Sequence, residues 1–113
     1  MIDTPVSRYY RIIQEELATE ADFEPYAAQG RPAPSDPYLR RLWQGISVYD
    51  SLERAMSQAR KRPSLGAYVA ELEIPWGRNI QAERTGHRRG HHTLWGEPKA
   101  LLACVVRVVP VLR

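Results

Sequence analysis

Between Asp50 and Ile74 the spacing of apolar residues changes from helical to alternating, which confines the chain to folds where a helix runs directly into a strand. Asp50 with Glu53 makes a capping-box pattern, and Leu52, Ala55, Met56 and Ala59 then fall on one helical stripe. Arg60, Lys61 and Arg62 occupy the last turn, where cations complement the helix dipole, and Pro63 stops the helix. From Gly66 onward Tyr68, Ala70, Leu72 and Ile74 lie on one face and Glu71 and Glu73 on the other, the pattern of a half-buried strand that ends at Pro75.

The other segments fit around this pair. Arg8 to Ile13 is aromatic and β-branched and predicts a first strand. Thr19 opens a short helix limited by Pro25 and terminated by Gly30, and the proline-rich stretch Arg31 to Pro37 is an extended connection. Asp36 caps a turn of helix through Leu42, and Ile46 to Tyr49 forms a short strand. Asn79 to Thr85 and His92 to Trp95 predict two further strands, and Leu101 to Val109, apolar on both faces, predicts a central one. At 113 residues the length suits a single domain spanning 1–113. The expected fold is α+β, with a mixed, mainly antiparallel sheet of five or six strands and two or three helices.

Composition excludes several classes. With 43% hydrophobic and 26% charged residues, the chain is neither a disordered tail nor a fibrous repeat. The longest apolar run, Leu101 to Val106, is far below the roughly 20 residues a membrane span requires. Asp3 and Arg8 interrupt the start, so no signal peptide is expected, and one cysteine cannot form an internal disulfide; a cytoplasmic location is the expectation. Residues 1–24 are net acidic and the remainder carries a basic surplus. Arginine outnumbers lysine 14 to 2, which suits planar contacts to phosphate or carboxylate, although a GC-rich genome produces the same bias.

The segment Arg84 to His92 concentrates all three histidines with Arg84, Arg88, Arg89 and two glycines. It reads either as a loop contacting phosphate or nucleic acid, or as a solvated hairpin turn. A metal site at His87, His91 and His92 would need further ligands, and the one cysteine, Cys104, sits in an apolar run, so no metal is expected and Cys104 is read as a small buried hydrophobe. Trp43, Trp76 and Trp95 read as packing residues first and as cleft linings second. Walker-type loops, G-x-S-x-G and C-x-x-C are absent from the sequence, which removes the common nucleotide hydrolase, serine hydrolase and thiol redox assignments.

The order of these residues resembles the small bacterial ADP-ribosyltransferase-like domains, which include RES-type toxins and relatives of the RNA 2′-phosphotransferases. Arg-Tyr-Tyr-Arg at 8–11 is similar to that family's opening strand, whose basic residue holds NAD. Gly45 to Tyr49, followed by a helix from Asp50, is similar to its second motif, and Glu97 falls where the family often carries an acid. The chain departs from the pattern at 95–97, where no Gln/Glu-x-Glu pair stands. The string from Leu42 to Val111 also resembles a family of small proteins from high-GC bacteria.

The resemblance implies a domain that binds NAD or a related phosphorylated ribose in a toxin-like or regulatory setting, a transferase where catalysis is retained. In that chemistry Glu97, with Glu83 behind it, would stabilise an oxocarbenium-like state. Arg11, or alternatively Arg8, would neutralise a pyrophosphate oxygen. Ser47 and Tyr49, two apart on one strand, would hydrogen-bond the carboxylate and stack on nicotinamide. His87, Arg88 and Arg89 would bind phosphate or the acceptor. The alternative is a non-enzymatic module whose basic loop 84–92, with Arg60 to Arg62, contacts nucleic acid or an acidic protein partner; a third reading is a structural partner, such as one half of a toxin–antitoxin pair, that buries Trp-bearing surface.

Overall fold

A computed structural model describes residues 6–75, 77 and 79–113. Six strands, β1 (Val6–Ile13), β2 (Ile46–Tyr49), β3 (Tyr68–Pro75), β4 (Gln81–Arg84), β5 (His91–Trp95) and β6 (Val105–Pro110), form one sheet in the order β4-β5-β2-β1-β3-β6. Every pairing between neighbours is antiparallel, so the expected α+β architecture holds while the parallel component implied by a mixed sheet is absent from these ladders. Three α-helices, α1 (Pro37–Trp43), α2 (Leu52–Lys61) and α3 (Pro98–Leu102), and 3₁₀ turns at Glu20–Phe23 and Pro63–Leu65 complete it.

Alternation along the strands puts apolar residues on both faces of the sheet, and each face is covered. On one, Ile46, Val48, Ala70, Leu72, Ile74 and Leu94 pack with Phe23 and with Leu101 of α3. On the other, the stripe Ala55, Met56 and Ala59 of α2 packs on Tyr49, Val69 and Val111. The second layer explains why β3 is more buried than a one-faced strand: Val69 is as inaccessible as Ala70 and Leu72 because α2 lies over it. Each fully buried Leu or Val contributes roughly 1.5–3 kcal/mol relative to an exposed one.

Three expectations are corrected. Leu101 to Val109 is not one central strand, because Pro98 starts α3, whose Leu101 is buried beside Phe23, and β6 begins at Val105 as an edge strand paired only with β3. Cys104 accordingly sits half-buried in the turn between α3 and β6. The stretch from Thr19 does not become a helix reaching Gly30; it makes one 3₁₀ turn, and Pro25, which cannot donate a helical hydrogen bond, is followed by turns. The cap of α2 is Ser51, whose hydroxyl accepts from the Arg54 amide at 3.2 Å, while Asp50 turns outward to pair with the Arg54 guanidinium at 2.9 Å.

Candidate functional site

The ladder between β1 and β2 holds one residue pair, Tyr10 opposite Tyr49, and beyond it a side chain takes over from the backbone. Arg11 Nη1 donates to the Ser47 carbonyl at 2.8 Å and Nε donates to the Asp22 carbonyl at 3.0 Å, tying β1 to β2 and to the 3₁₀ turn. Burial lowers the guanidinium's proton affinity, opposed by the negative charge of Asp22, and the group stays cationic as arginines do. A guanidinium has five N–H donors, so a brace that uses two still leaves donors for the cleft beside it.

The pairing of β2 with β5 sets the next residues. Tyr49 stands opposite His91 and Ser47 opposite Thr93, so these four share one face of the sheet. The Tyr49 and His91 rings meet edge to face with centroids 5.5 Å apart. His91 Nδ1 lies 2.8 Å from the Thr85 carbonyl, which can only accept, so Nδ1 carries the proton and Nε2 holds the lone pair of the neutral ring. The Thr85 hydroxyl, 2.6 Å from that of Thr93, lies 3.2 Å from the same nitrogen. Burial pushes the imidazole pKa down; the contact with Thr85 works against this, and the positive charges of Arg88 and His92 add to it.

Around these groups runs a cleft in two adjoining chambers that share Arg11, Tyr26, Ser47 and His91 in their walls. The outer chamber, about 590 Å³, is walled largely by Pro25, Pro32, Pro34, Leu42 and Trp43, and its one carboxylate is Glu24. The inner chamber, about 320 Å³, is completed by Ile12, Tyr49, Arg62, Leu65 and Arg88 and has no carboxylate in its wall. Burial raises the Tyr49 phenol, and the cations Arg88, within hydrogen-bonding reach, Arg62 and Arg11 pull it back. Three arginines, from β1, from the end of α2 and from the β4–β5 turn, thus line the same chamber as Tyr49.

The residues singled out in the sequence divide into two groups. Arg11, Ser47, Tyr49 and Arg88 come together in this cleft. Arg8 lies outside it and pairs with Glu73 at 3.2 Å, its partner across β1 and β3. His87 and Arg89 are exposed on the β4–β5 turn and line neither chamber. Glu97 lies apart from Arg11 and Tyr49: it stands at the N-cap position of α3, without a capping bond from its side chain, and lines a separate cavity of about 500 Å³ with Glu73, Ile80 and Cys104. Glu83 is engaged with Arg41 at 2.8 Å.

His91 and His92, adjacent on β5, face opposite sides of the sheet, His91 against Tyr49 and His92 against Tyr9, so they cannot share a metal. Among the described residues no group of three or more His, Cys, Asp or Glu is placed to hold a metal ion. Trp43 lines the outer chamber, Trp95 is held by Arg41 across its ring and through Nε1 on the Arg41 carbonyl, and Trp76 lies outside the described residues. No described helix is long and apolar enough to cross a membrane.

Of the cleft residues, Tyr26 was not expected from the sequence, and His91 and Arg62 were expected only as parts of the basic loop 84–92 and the Arg60 to Arg62 cluster, not as neighbours of Tyr49. For His91 the signal was available, since a strand beginning one residue earlier places it across from Tyr49. Arg62 and Tyr26 carry no such signal, because each reaches the cleft only through tertiary packing.

Compared with known proteins, the chain matches no family model, no curated protein and no solved structure. What defines it is its own geometry, an α+β domain with a six-stranded antiparallel sheet and a basic cleft where the β1–β2 ladder ends.

Proposed function

We propose that this is an ADP-ribosyltransferase-like domain whose cleft binds NAD or a related phosphorylated ribose. The observation that carries the reading is that the basic residue of the first strand and both side chains of the second motif, Arg11, Ser47 and Tyr49, line one continuous cleft together with Arg88. Cationic forks match phosphate oxygens, and the walls around Tyr26 and Trp43 suit a flat ring. The carboxylate within this cleft is Glu24 rather than Glu97, so binding is the primary claim and transfer chemistry would draw on a different acid from the one the family pattern suggests.

Isothermal titration with NAD and with ADP-ribose tests the reading. Saturable binding that weakens in Arg88→Ala supports it, and Arg88 is the better probe than Arg11 because Arg11 also braces the fold. The absence of saturable binding for both ligands overturns it.

A second reading, a binding module for nucleic acid or an acidic partner, draws on Arg62 and Arg88 meeting in one chamber, which joins the basic end of α2 to the basic β4–β5 turn. Salt separates the two. Contacts to a phosphate backbone weaken steeply as salt rises, whereas a small ligand in a cleft responds much less.

A further inference from the structure

The two chambers differ in chemistry in a way that orients whatever occupies them. Prolines, Leu42, Trp43 and the Tyr26 ring dominate the outer one, and the Arg31 guanidinium stacks 4.4 Å from the Tyr26 ring centroid. Cations and hydrogen-bonding groups, Arg62, Arg88, Tyr49 and His91, dominate the inner one. Arg11 stands at the boundary.

Among the described residues no carboxylate forms an ion pair with the inner cations Arg62 and Arg88. The ion pairs among the described residues use Arg8, Arg41, Arg54 and Arg107 and leave out Arg62 and Arg88. Other exposed arginines, such as Arg60, Arg84 and Arg89, also stand outside these ion pairs; what sets Arg62 and Arg88 apart is that both line one chamber with Tyr49 and with no carboxylate in its wall. Like charges held together in a partly enclosed space repel, and an anion seated between them removes that cost.

We infer that the inner chamber is a subsite for the terminal phosphomonoester of a nucleotide, held between Arg62 and Arg88 with the Tyr49 hydroxyl, while the nucleoside lies in the outer chamber. A phosphomonoester carries close to two charges and three terminal oxygens, enough for two guanidiniums and a hydroxyl at once. A bridging phosphate has one charge and two free oxygens, and would leave one of the three donors unmatched. His91 Nε2 has no protein partner among the described residues and donates to the same phosphate once the ring is protonated. The inference rests on the cleft being the binding site for a phosphorylated ribose, and it selects which end of the ligand goes where.

The test is titration of the full chain with 5′-nucleoside monophosphates (AMP, GMP, CMP and UMP), with the parent nucleosides, and with ADP-ribose and NAD. At least one monophosphate is expected to bind about tenfold or more tightly than its nucleoside, equivalent to about 1.4 kcal/mol. Arg88→Ala and Arg62→Ala should each erase most of that difference, weakening monophosphate binding far more than nucleoside binding, with circular dichroism confirming that both variants fold. Equal affinity for nucleotide and nucleoside, or monophosphate binding indifferent to both variants, overturns the subsite. If ADP-ribose or NAD still binds in that case, the cleft reading survives without it; if nothing in the panel binds, both fall.

Discussion

Arg11 Nη1 donates to the main-chain oxygen of Ser47 at 2.8 Å, standing in for a ladder bond that the backbones of β1 and β2 no longer make. The same guanidinium holds the Asp22 carbonyl, so one side chain joins two strands and a 3₁₀ turn at the wall of the cleft. A residue of this kind would couple stability to binding under the proposed function, since the group lining the cleft is the one that keeps the strands in place.

Arg11→Ala is expected to destabilise the fold by about 1–3 kcal/mol, because it strands the Asp22 carbonyl in a part-buried setting, removes the bond to the exposed Ser47 carbonyl and deletes a cation. Urea denaturation measures the loss. Arg11→Lys should recover part of it at most, since one ammonium cannot reproduce the fork. A stability equal to wild type for Arg11→Ala would mean the brace is incidental.

Ser51, not Asp50, caps α2, and the two are separable by substitution. Ser51→Ala should cost about 1 kcal/mol. Asp50→Ala removes an exposed ion pair with Arg54 and should cost well under that, at most about 0.5 kcal/mol. Thermal unfolding of the pair checks the order, and the reverse order would return the cap to Asp50.

His91 makes stability depend on pH with a definite sign. Burial depresses its folded pKa, so as pH falls the unfolded chain takes up the proton first, at the ordinary imidazole value near 6.5. The stability from neutral His91 is therefore complete above about pH 6.5 and declines below it, until the folded protein also protonates. Chemical denaturation between about pH 7.5 and 5 should show a shallower decline in His91→Asn, which keeps a donor for the Thr85 carbonyl without titrating. Identical slopes in both proteins would remove His91 as the origin.

Gly90 turns the chain into β5 with φ at +71°, and a Cβ there would collide with the Asp50 carboxylate and the Arg54 side chain. Its carbonyl also accepts from the Asp50 amide at 2.9 Å. Gly90→Ala is expected to cost about 1–3 kcal/mol through backbone strain and the displaced ion pair. Because His91 follows directly, nucleotide affinity should fall with it. Parallel titration and denaturation would contradict this if both stayed at wild-type values.

Local order along the chain was decided by sequence. The stripe of α2, the alternation of β3, the extent of β2 and the Asp36 cap of α1 all follow from side-chain spacing and from what Pro, Asp and Gly allow the backbone to do. These are short-range effects, and short-range rules suffice for them. Tertiary structure decided the rest. It made Leu101 a helical residue at the core and β6 an edge, because burial against Phe23 and the choice of β3 as sole partner are long-range events. Strand pairing brought Tyr49 and His91 together, while packing of α2 and the β4–β5 turn brought in Arg62 and Arg88. It set Glu97 in a different cavity, since nothing in the spacing of a glutamate along the chain states which side of the molecule it will meet.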